Sequence, residues 1–107
     1  MLQVEEKNGF SVVKVEGEVD LFNSQDLKSD VENLINAGKV KLILDMAKVS
    51  YIDSSGLGIL VGINKRARMR GGFLRLAALP QDIKHLFEMT KLDKIFDIYP
   101  SVERATI

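Results

Sequence analysis

The chain has 107 residues, of which 46% are hydrophobic, and its 15 basic residues are balanced by 15 acidic ones. This length and apolar content predict one folded domain, residues 1–107, rather than a disordered chain. A formal net charge of zero argues against a nucleic-acid-binding protein that acts through its overall field. With no cysteine and one histidine, the chain has no disulfides, no thiolate chemistry and no metal site of the cysteine or multi-histidine type.

The hydropathy pattern contains neither a signal sequence nor a membrane span. The N-terminal residues have no apolar core, and the longest apolar run, 57–63, is interrupted by glycine and too short to cross a bilayer. We therefore expect a soluble, cytoplasmic protein without a membrane partner. Residues 65–70 contain four cations, which we interpret as the last turn of a helix complementing its dipole. The alternative is a basic docking patch.

The first part of the chain predicts a β-hairpin followed by a helix. Residues 2–6 and 10–15 have strand composition, and Asn8-Gly9 between them is typical of a tight hairpin turn. Residues 17–20 are expected to leave the second strand as an acidic loop. Helical spacing begins near Leu21, and Gly38 is expected to end that helix.

The rest of the chain alternates strands with helices. Strands are predicted at 40–45, 72–79 and 95–99, and helices at 57–70, from Pro80 onward, and after Pro100. The order ββαβαβαβα predicts an α/β fold with a mixed, mostly parallel sheet. In such sheets functional residues gather outside the carboxyl ends of the strands.

The most informative segment is 51–58, where Asp53, Ser54 and Ser55 stand between a predicted strand and a predicted helix. A helix N-terminus concentrates unpaired N–H groups and the positive end of the dipole, so it suits a negatively charged group. A hydroxyl at this place can cap the helix, act as a nucleophile or accept a phosphate. Two adjacent serines allow one to cap the helix while the other is modified.

Catalysis by the chain itself is not favoured. Asp53, Ser55 and His85 supply the residue types of a hydrolytic triad, but the Gly-x-Ser-x-Gly pattern is absent and Asp53 lies only two residues from Ser55. Asp45, at an expected strand end, gives only a weak match to a phosphate-accepting receiver domain. We therefore expect no enzymatic activity, no metal and no cofactor.

Gly56 and Gly58 match neither the dinucleotide-binding nor the phosphate-loop pattern. Glycine in a helix is less favourable than alanine by roughly 1 kcal/mol, so a close backbone approach should offset it. We expect that approach to come from the sheet at Gly58 and from a protein partner at Gly56.

The segment Asp53-Ser54-Ser55-Gly56-Leu57-Gly58 resembles the signature of anti-sigma factor antagonists. These are single-domain members of the STAS family, named for sulfate transporters and anti-sigma antagonists. Gly-Glu-Val-Asp at 17–20 is similar to a family segment after the second strand, and 42–45 and 72–76 are similar to family strands. The resemblance covers nearly the whole chain.

The resemblance implies that Ser55 is phosphorylated by an anti-sigma factor that is also a serine kinase, and dephosphorylated by a metal-dependent serine phosphatase. The unphosphorylated form would bind the anti-sigma factor and free the sigma factor. Two alternatives stay open: a structural STAS subunit of a stress-signalling or lipid-transport complex, in which Ser55 only caps the helix, and a nucleotide-binding STAS module. The residues implied in partner binding are Asp20, Asp53, Ser54, Ser55, Gly56, Leu57 and Gly58.

Overall fold

The computed structural model describes residues 2–107 and contains the predicted alternation of strands and helices. A 3₁₀ turn, Leu92–Lys94, precedes the last strand. This order confirms the predicted ββαβαβαβα fold. The elements are β1 (Gln3–Lys7), β2 (Phe10–Val19), α1 (Ser24–Asn36), β3 (Lys41–Ile52), α2 (Ser54–Met69), β4 (Phe73–Ala77), α3 (Gln81–Met89), β5 (Asp97–Tyr99) and α4 (Val102–Ala105).

The strands form one five-stranded sheet in the order β1-β2-β3-β4-β5. β1 pairs antiparallel with β2, and the following pairs are parallel, as predicted for a mixed sheet. Asn8 and Gly9 turn the hairpin with φ angles of 54° and 85°. A short polar side chain and glycine tolerate these positive values, which confirms the predicted turn.

Side chains alternate between the two faces of the sheet along each strand. The helices cover these two faces unequally. One face packs against α1, α2 and α3 and holds most of the core. The other face carries a small cluster of Val12, Ile43, Ala77 and Ala105, to which α4 contributes. The predicted stripe on α1 is confirmed, since Leu27, Val31 and Ile35 are buried in the larger core and Leu34 packs against it.

β2 continues through the segment that was expected to be an acidic loop, so that expectation is wrong for 17–19. Gly17 has a φ of 77°, and the register between β2 and β3 shifts on either side of it. Glycine adopts this conformation without strain, so the strand passes through a bulge and pairing resumes as far as Val19. The β2–α1 connection is thereby reduced to residues 20–23.

β3 is also longer than predicted, and Asp45 lies within it rather than at its end. β4 stops pairing at Ala77, opposite Asp45, while β2 and β3 continue together to Val19 and Ile52. Met46, Val49 and Ile52 are buried along this extension, which explains why pairing persists. The two-stranded extension of β2 and β3 ends directly before Asp53.

Other boundaries differ by a few residues. β4 and β5 are shorter than predicted, and the 3₁₀ turn occupies the three residues directly before the predicted start of β5. α1 begins at Ser24 rather than near Leu21, because residues 20–23 form a turn. α2 begins at Ser54 rather than Leu57 and includes both serines.

Arg75 connects α4 to the face of the sheet that carries the small cluster. Its guanidinium carbon lies 5.2, 4.5 and 5.2 Å from the ring centroids of Phe10, Phe73 and Tyr99. The same guanidinium donates a hydrogen bond from Nη1 to the carbonyl oxygen of Ala105 at 2.6 Å. Each cation–π contact stabilises by about 0.5–1 kcal/mol when partly exposed. A helix of four residues is too short to be stable alone, so α4 depends on this contact and on the packing of Ala105 in the small cluster.

We predict that Arg75→Ala loosens α4 without unfolding the sheet. The backbone order parameters of Ala105 and Thr106 should fall from about 0.85 to below about 0.6, because their anchor is gone. Leu44, in the larger core, serves as the internal control and should stay rigid. Relaxation measurements by NMR test this, and an α4 that remains as rigid as the sheet would contradict it.

Candidate functional site

Asp53 is the N-cap of α2 and connects three elements. Its Oδ1 accepts a hydrogen bond from the N–H of Gly56 at 2.9 Å, and its Oδ2 accepts one from the N–H of Leu21 at 3.2 Å. Its own N–H donates to the carbonyl oxygen of Val19 at 3.2 Å. The carboxylate therefore joins the start of α2 to the turn after β2. The interpretation of Ser54 or Ser55 as the helix cap is wrong.

Ser54 and Ser55 are the first two residues of α2, the 16-residue helix that follows β3. Ser54 is exposed and Ser55 is half-buried. The backbone N–H groups of a first turn have no partner within the helix, and the dipole adds a partial positive charge there. The serine hydroxyls thus stand where a negatively charged group is electrostatically favoured.

Asp20 lies at the same edge but is engaged in building a turn. Its Oδ1 accepts hydrogen bonds from the N–H groups of Phe22 and Asn23, both at 3.0 Å. Asn23 returns a bond, since its Oδ1 accepts from the N–H of Asp20 at 2.8 Å. Residues 20–23, which we call the Asp20 turn, are therefore closed by reciprocal side-chain bonds typical of Asx turns.

The close approach of the sheet was expected at Gly58, and the structure shows it at Gly56 instead. A Cβ on Gly56 would lie 2.3 Å from the carbonyl oxygen of Val19, whereas a Cβ on Gly58 would meet no atom within 4 Å. The close approach of the sheet is therefore at the buried Gly56, and Gly58 is exposed on the surface of α2. Leu57, between them, is half-buried and packs against the larger core.

A hydrolytic triad is not assembled. His85 is 66% exposed on α3, where its Nδ1 lies 3.9 Å from Oε1 of Glu88. Both oxygens of Asp53 accept bonds from backbone N–H groups, so this carboxylate does not orient an imidazole. Among residues 2–107, no cluster of three or more histidine or carboxylate side chains is placed to hold a metal ion.

The model of the STAS domain family matches residues 1–105. The chain belongs to the STAS domain family. In the part of this STAS domain that the structure describes, no helix is long and apolar enough to cross a membrane.

Relatives of this STAS domain carry regulatory names. The anti-sigma-B factor antagonist of Bacillus subtilis strain 168 is 36% identical over 86 residues, which are 80% of this chain and 78% of the relative. An anti-sigma factor antagonist from Mycobacterium paratuberculosis has a crystal structure with a TM-score of 0.87 at 28% identity, over 98% of this chain and 89% of that one. The phosphorylated form of the Bacillus cell fate determinant SpoIIAA shares the fold, with a TM-score of 0.75 at 20% identity, over 98% of this chain and 96% of that one.

Two exposed apolar residues of this STAS domain were not singled out from the sequence. Leu21 and Phe22 occupy the Asp20 turn, and 57% and 87% of their respective surfaces are exposed. Helical spacing suggested that the helix begins near Leu21, which would have given that side chain a place on its surface. An aspartate followed three residues later by asparagine is the signal of a turn that could have separated them from the helix.

The basic run 65–70 lies at the opposite end of α2 from the serines. Arg66 pairs with Glu32 of α1 at 3.5 Å, and the Nε of Arg68 donates to Oδ1 of Asn64 at 3.2 Å. Arg66 and Arg68 fall in the last turn of the helix, in agreement with the dipole interpretation.

We predict that Asp53 stabilises the fold and that Ser54 does not. Asp53→Ala should lower the free energy of unfolding by about 1–2 kcal/mol, because the α2 cap and the partner of Leu21 are both lost. The exposed Ser54→Ala should change it by less than about 0.5 kcal/mol. Urea denaturation of both variants provides the test. Equal stability of the two variants would refute the assignment of the cap.

A second matched pair tests the glycines. Gly56→Ala should destabilise the protein by about 1–3 kcal/mol, because the added methyl group would collide with the Val19 carbonyl group. Gly58→Ala should stabilise it by up to about 1 kcal/mol, since alanine is the better helix former and the space is open. Denaturant midpoints measure both changes, and a destabilising Gly58→Ala would show that this position is tightly packed.

Proposed function

We propose that this chain is an anti-sigma factor antagonist, switched by phosphorylation of Ser55 by an anti-sigma factor that is also a serine kinase. The observation that carries the proposal is that Asp53 caps α2. Ser55 therefore stands in the first turn without being needed as its cap. The names of the relatives support the same role.

A phosphate on Ser55 is compatible with the fold. It adds about −1.5 to −2 charges at neutral pH, and the N-terminus of α2 stabilises such a charge by about 0.3–1 kcal/mol. Ser55 is half-buried rather than enclosed, so the added group can extend into water. The phosphate therefore has no reason to displace α2 from the sheet.

The same phosphate is unfavourable within a protein interface. The kinase must receive the hydroxyl of Ser55 closely, so the unmodified serine lies in the contact with the anti-sigma factor. Phosphorylation places a charge there, two residues along the chain from Asp53 and at the same end of the sheet as Asp20. Removing an uncompensated charge from water costs several kcal/mol. The unphosphorylated form thus binds the anti-sigma factor and frees the sigma factor, and phosphorylation reverses this.

The proposal also includes a phosphatase, a location and a single-domain organisation. A metal-dependent serine phosphatase restores the binding form. The chain acts in the cytoplasm as one domain, residues 1–107, without catalysis and without direct contact with nucleic acid or membrane. A structural subunit whose Ser55 serves only as a cap is not favoured, because the cap is Asp53.

We predict that a cognate kinase and ATP place one phosphate on Ser55. Peptide mass mapping should find it there, and Ser55→Ala should abolish it while the matched Ser54→Ala leaves it in place. The Ser55→Ala variant should still bind the anti-sigma factor, which is the partner of the unphosphorylated form. The first candidates for this kinase are small ATPase-type kinases encoded by genes next to the gene for this chain. Phosphate mainly on Ser54 would contradict the proposal.

Phosphorylation should reduce affinity for the anti-sigma factor by about a hundredfold or more, which is about 2.7 kcal/mol. Ser55→Asp should imitate part of this loss. Backbone NMR shifts should change mainly at residues 53–58, because the charge is accommodated locally. Widespread shifts would indicate an allosteric switch instead, and undiminished affinity after phosphorylation would refute the switch itself.

A further inference from the structure

We propose that Phe22 is the apolar anchor that docks the serine kinase partner onto this chain and so positions Ser55 for phosphorylation. The inference rests on the proposed function, and it names a residue and a kind of contact that the function alone does not supply. The side chain of Phe22 enters an apolar pocket on the kinase surface, beside the cleft that receives Ser55.

The first reason is exposure. Phe22 is 87% exposed, and the adjacent Leu21 is 57% exposed, so the Asp20 turn presents two neighbouring apolar side chains to water. Exposed apolar groups that are grouped together mark interaction surfaces more often than single ones do. A phenylalanine has a large apolar surface, and burying it in a partner is strongly favourable.

The second reason is that the exposure is imposed by a closed turn. Oδ1 of Asp20 accepts the N–H groups of Phe22 and Asn23, and Oδ1 of Asn23 accepts the N–H of Asp20. The N–H of Ser24 adds a bond to the carbonyl oxygen of Asp20 at 2.9 Å. Because these bonds hold the backbone in place, docking Phe22 requires little further ordering.

The third reason is the connection to the phosphorylation site. The residue before Phe22 donates its N–H to Oδ2 of Asp53, and Oδ1 of the same carboxylate caps the helix that begins with Ser54 and Ser55. The turn that carries Phe22 and the helix start that carries Ser55 are therefore joined through one carboxylate. A kinase that encloses Ser55 meets the Asp20 turn as well.

These observations change the role of Asp20. The family resemblance implied that its carboxylate contacts the partner. In the structure this carboxylate accepts the two N–H groups that shape the turn, so Asp20 is a positioning residue for Phe22. Aromatic side chains are frequent among the residues that dominate binding energies, whereas rim charges contribute less.

The test compares Phe22→Ala with Ile107→Ala in the full chain. Both side chains are 87% exposed in the native protein, so the two truncations remove equally exposed apolar groups. Melting temperature, affinity for the kinase without ATP, and KM and kcat for phosphorylation of Ser55 are measured for each. Phe22→Ala should raise both the Kd and the KM by about tenfold or more, with kcat within about twofold of its original value. Its melting temperature, and every value for Ile107→Ala, should be unchanged.

Phe22→Tyr supplies a conservative variant and should retain most of the affinity, since the ring remains. The inference about Phe22 is overturned if Phe22→Ala binds like the original chain, if Ile107→Ala loses as much affinity, or if kcat falls while KM stays constant. Phosphorylation of Ser55 in the original chain still supports the proposed function in those cases. If the original chain is not phosphorylated on Ser55, the proposed function fails and the anchor fails with it.

Discussion

The carboxylate of Asp53 is the interaction on which the arrangement of the site depends. One oxygen caps α2 and the other holds the turn that follows β2. Without this bridge, the serines and the turn would be neighbours only through the sheet. With it, two segments that are 32 residues apart in sequence share one rigid framework. Neither serine is needed to cap the helix, because the aspartate before them does so.

Backbone contact between α2 and β2 also supports this framework. β2 and β3 continue as a pair beyond the end of β4, and α2 begins directly after that extension. At Gly56 the helix lies so close to the Val19 carbonyl group that a side chain has no room. The distance between the start of α2 and β2 is therefore set by main-chain packing at Gly56.

Much of the fold could be predicted from local patterns. The Asn8-Gly9 turn and the apolar stripe on α1 are short-range signals, and both are present as expected. The lengths of β2 and β3 could not be predicted, because the bulge at Gly17 depends on pairing between distant strands. For the same reason the sheet contact was expected at Gly58 and not at Gly56, where it lies. Which glycine faces the sheet depends on where the helix begins, and that is decided by the side chain of Asp53.

The candidate site was predictable in part. The segment Asp53-Ser54-Ser55 lies between β3 and α2, at the carboxyl end of a parallel strand as predicted, but the partner of each Asp53 oxygen depends on tertiary structure. The exposure of Leu21 and Phe22 was not predicted, because apolar residues next to a helical stripe are normally assigned to the helix. Their exposure is visible only once the reciprocal bonds between Asp20 and Asn23 are known.

The orientation of α2 gives this neutral protein an uneven electric field. The helix has 16 residues and is about 24 Å long, which exceeds the Debye length of about 8 Å at physiological ionic strength. Asp20 and Asp53 lie at its beginning, and Arg66 and Arg68 lie in its last turn. The charges at the two ends are therefore largely screened from each other, and an approaching charged group interacts mainly with the end that it meets, although the net charge is zero. Added salt weakens the interaction at either end, because it shortens the screening length.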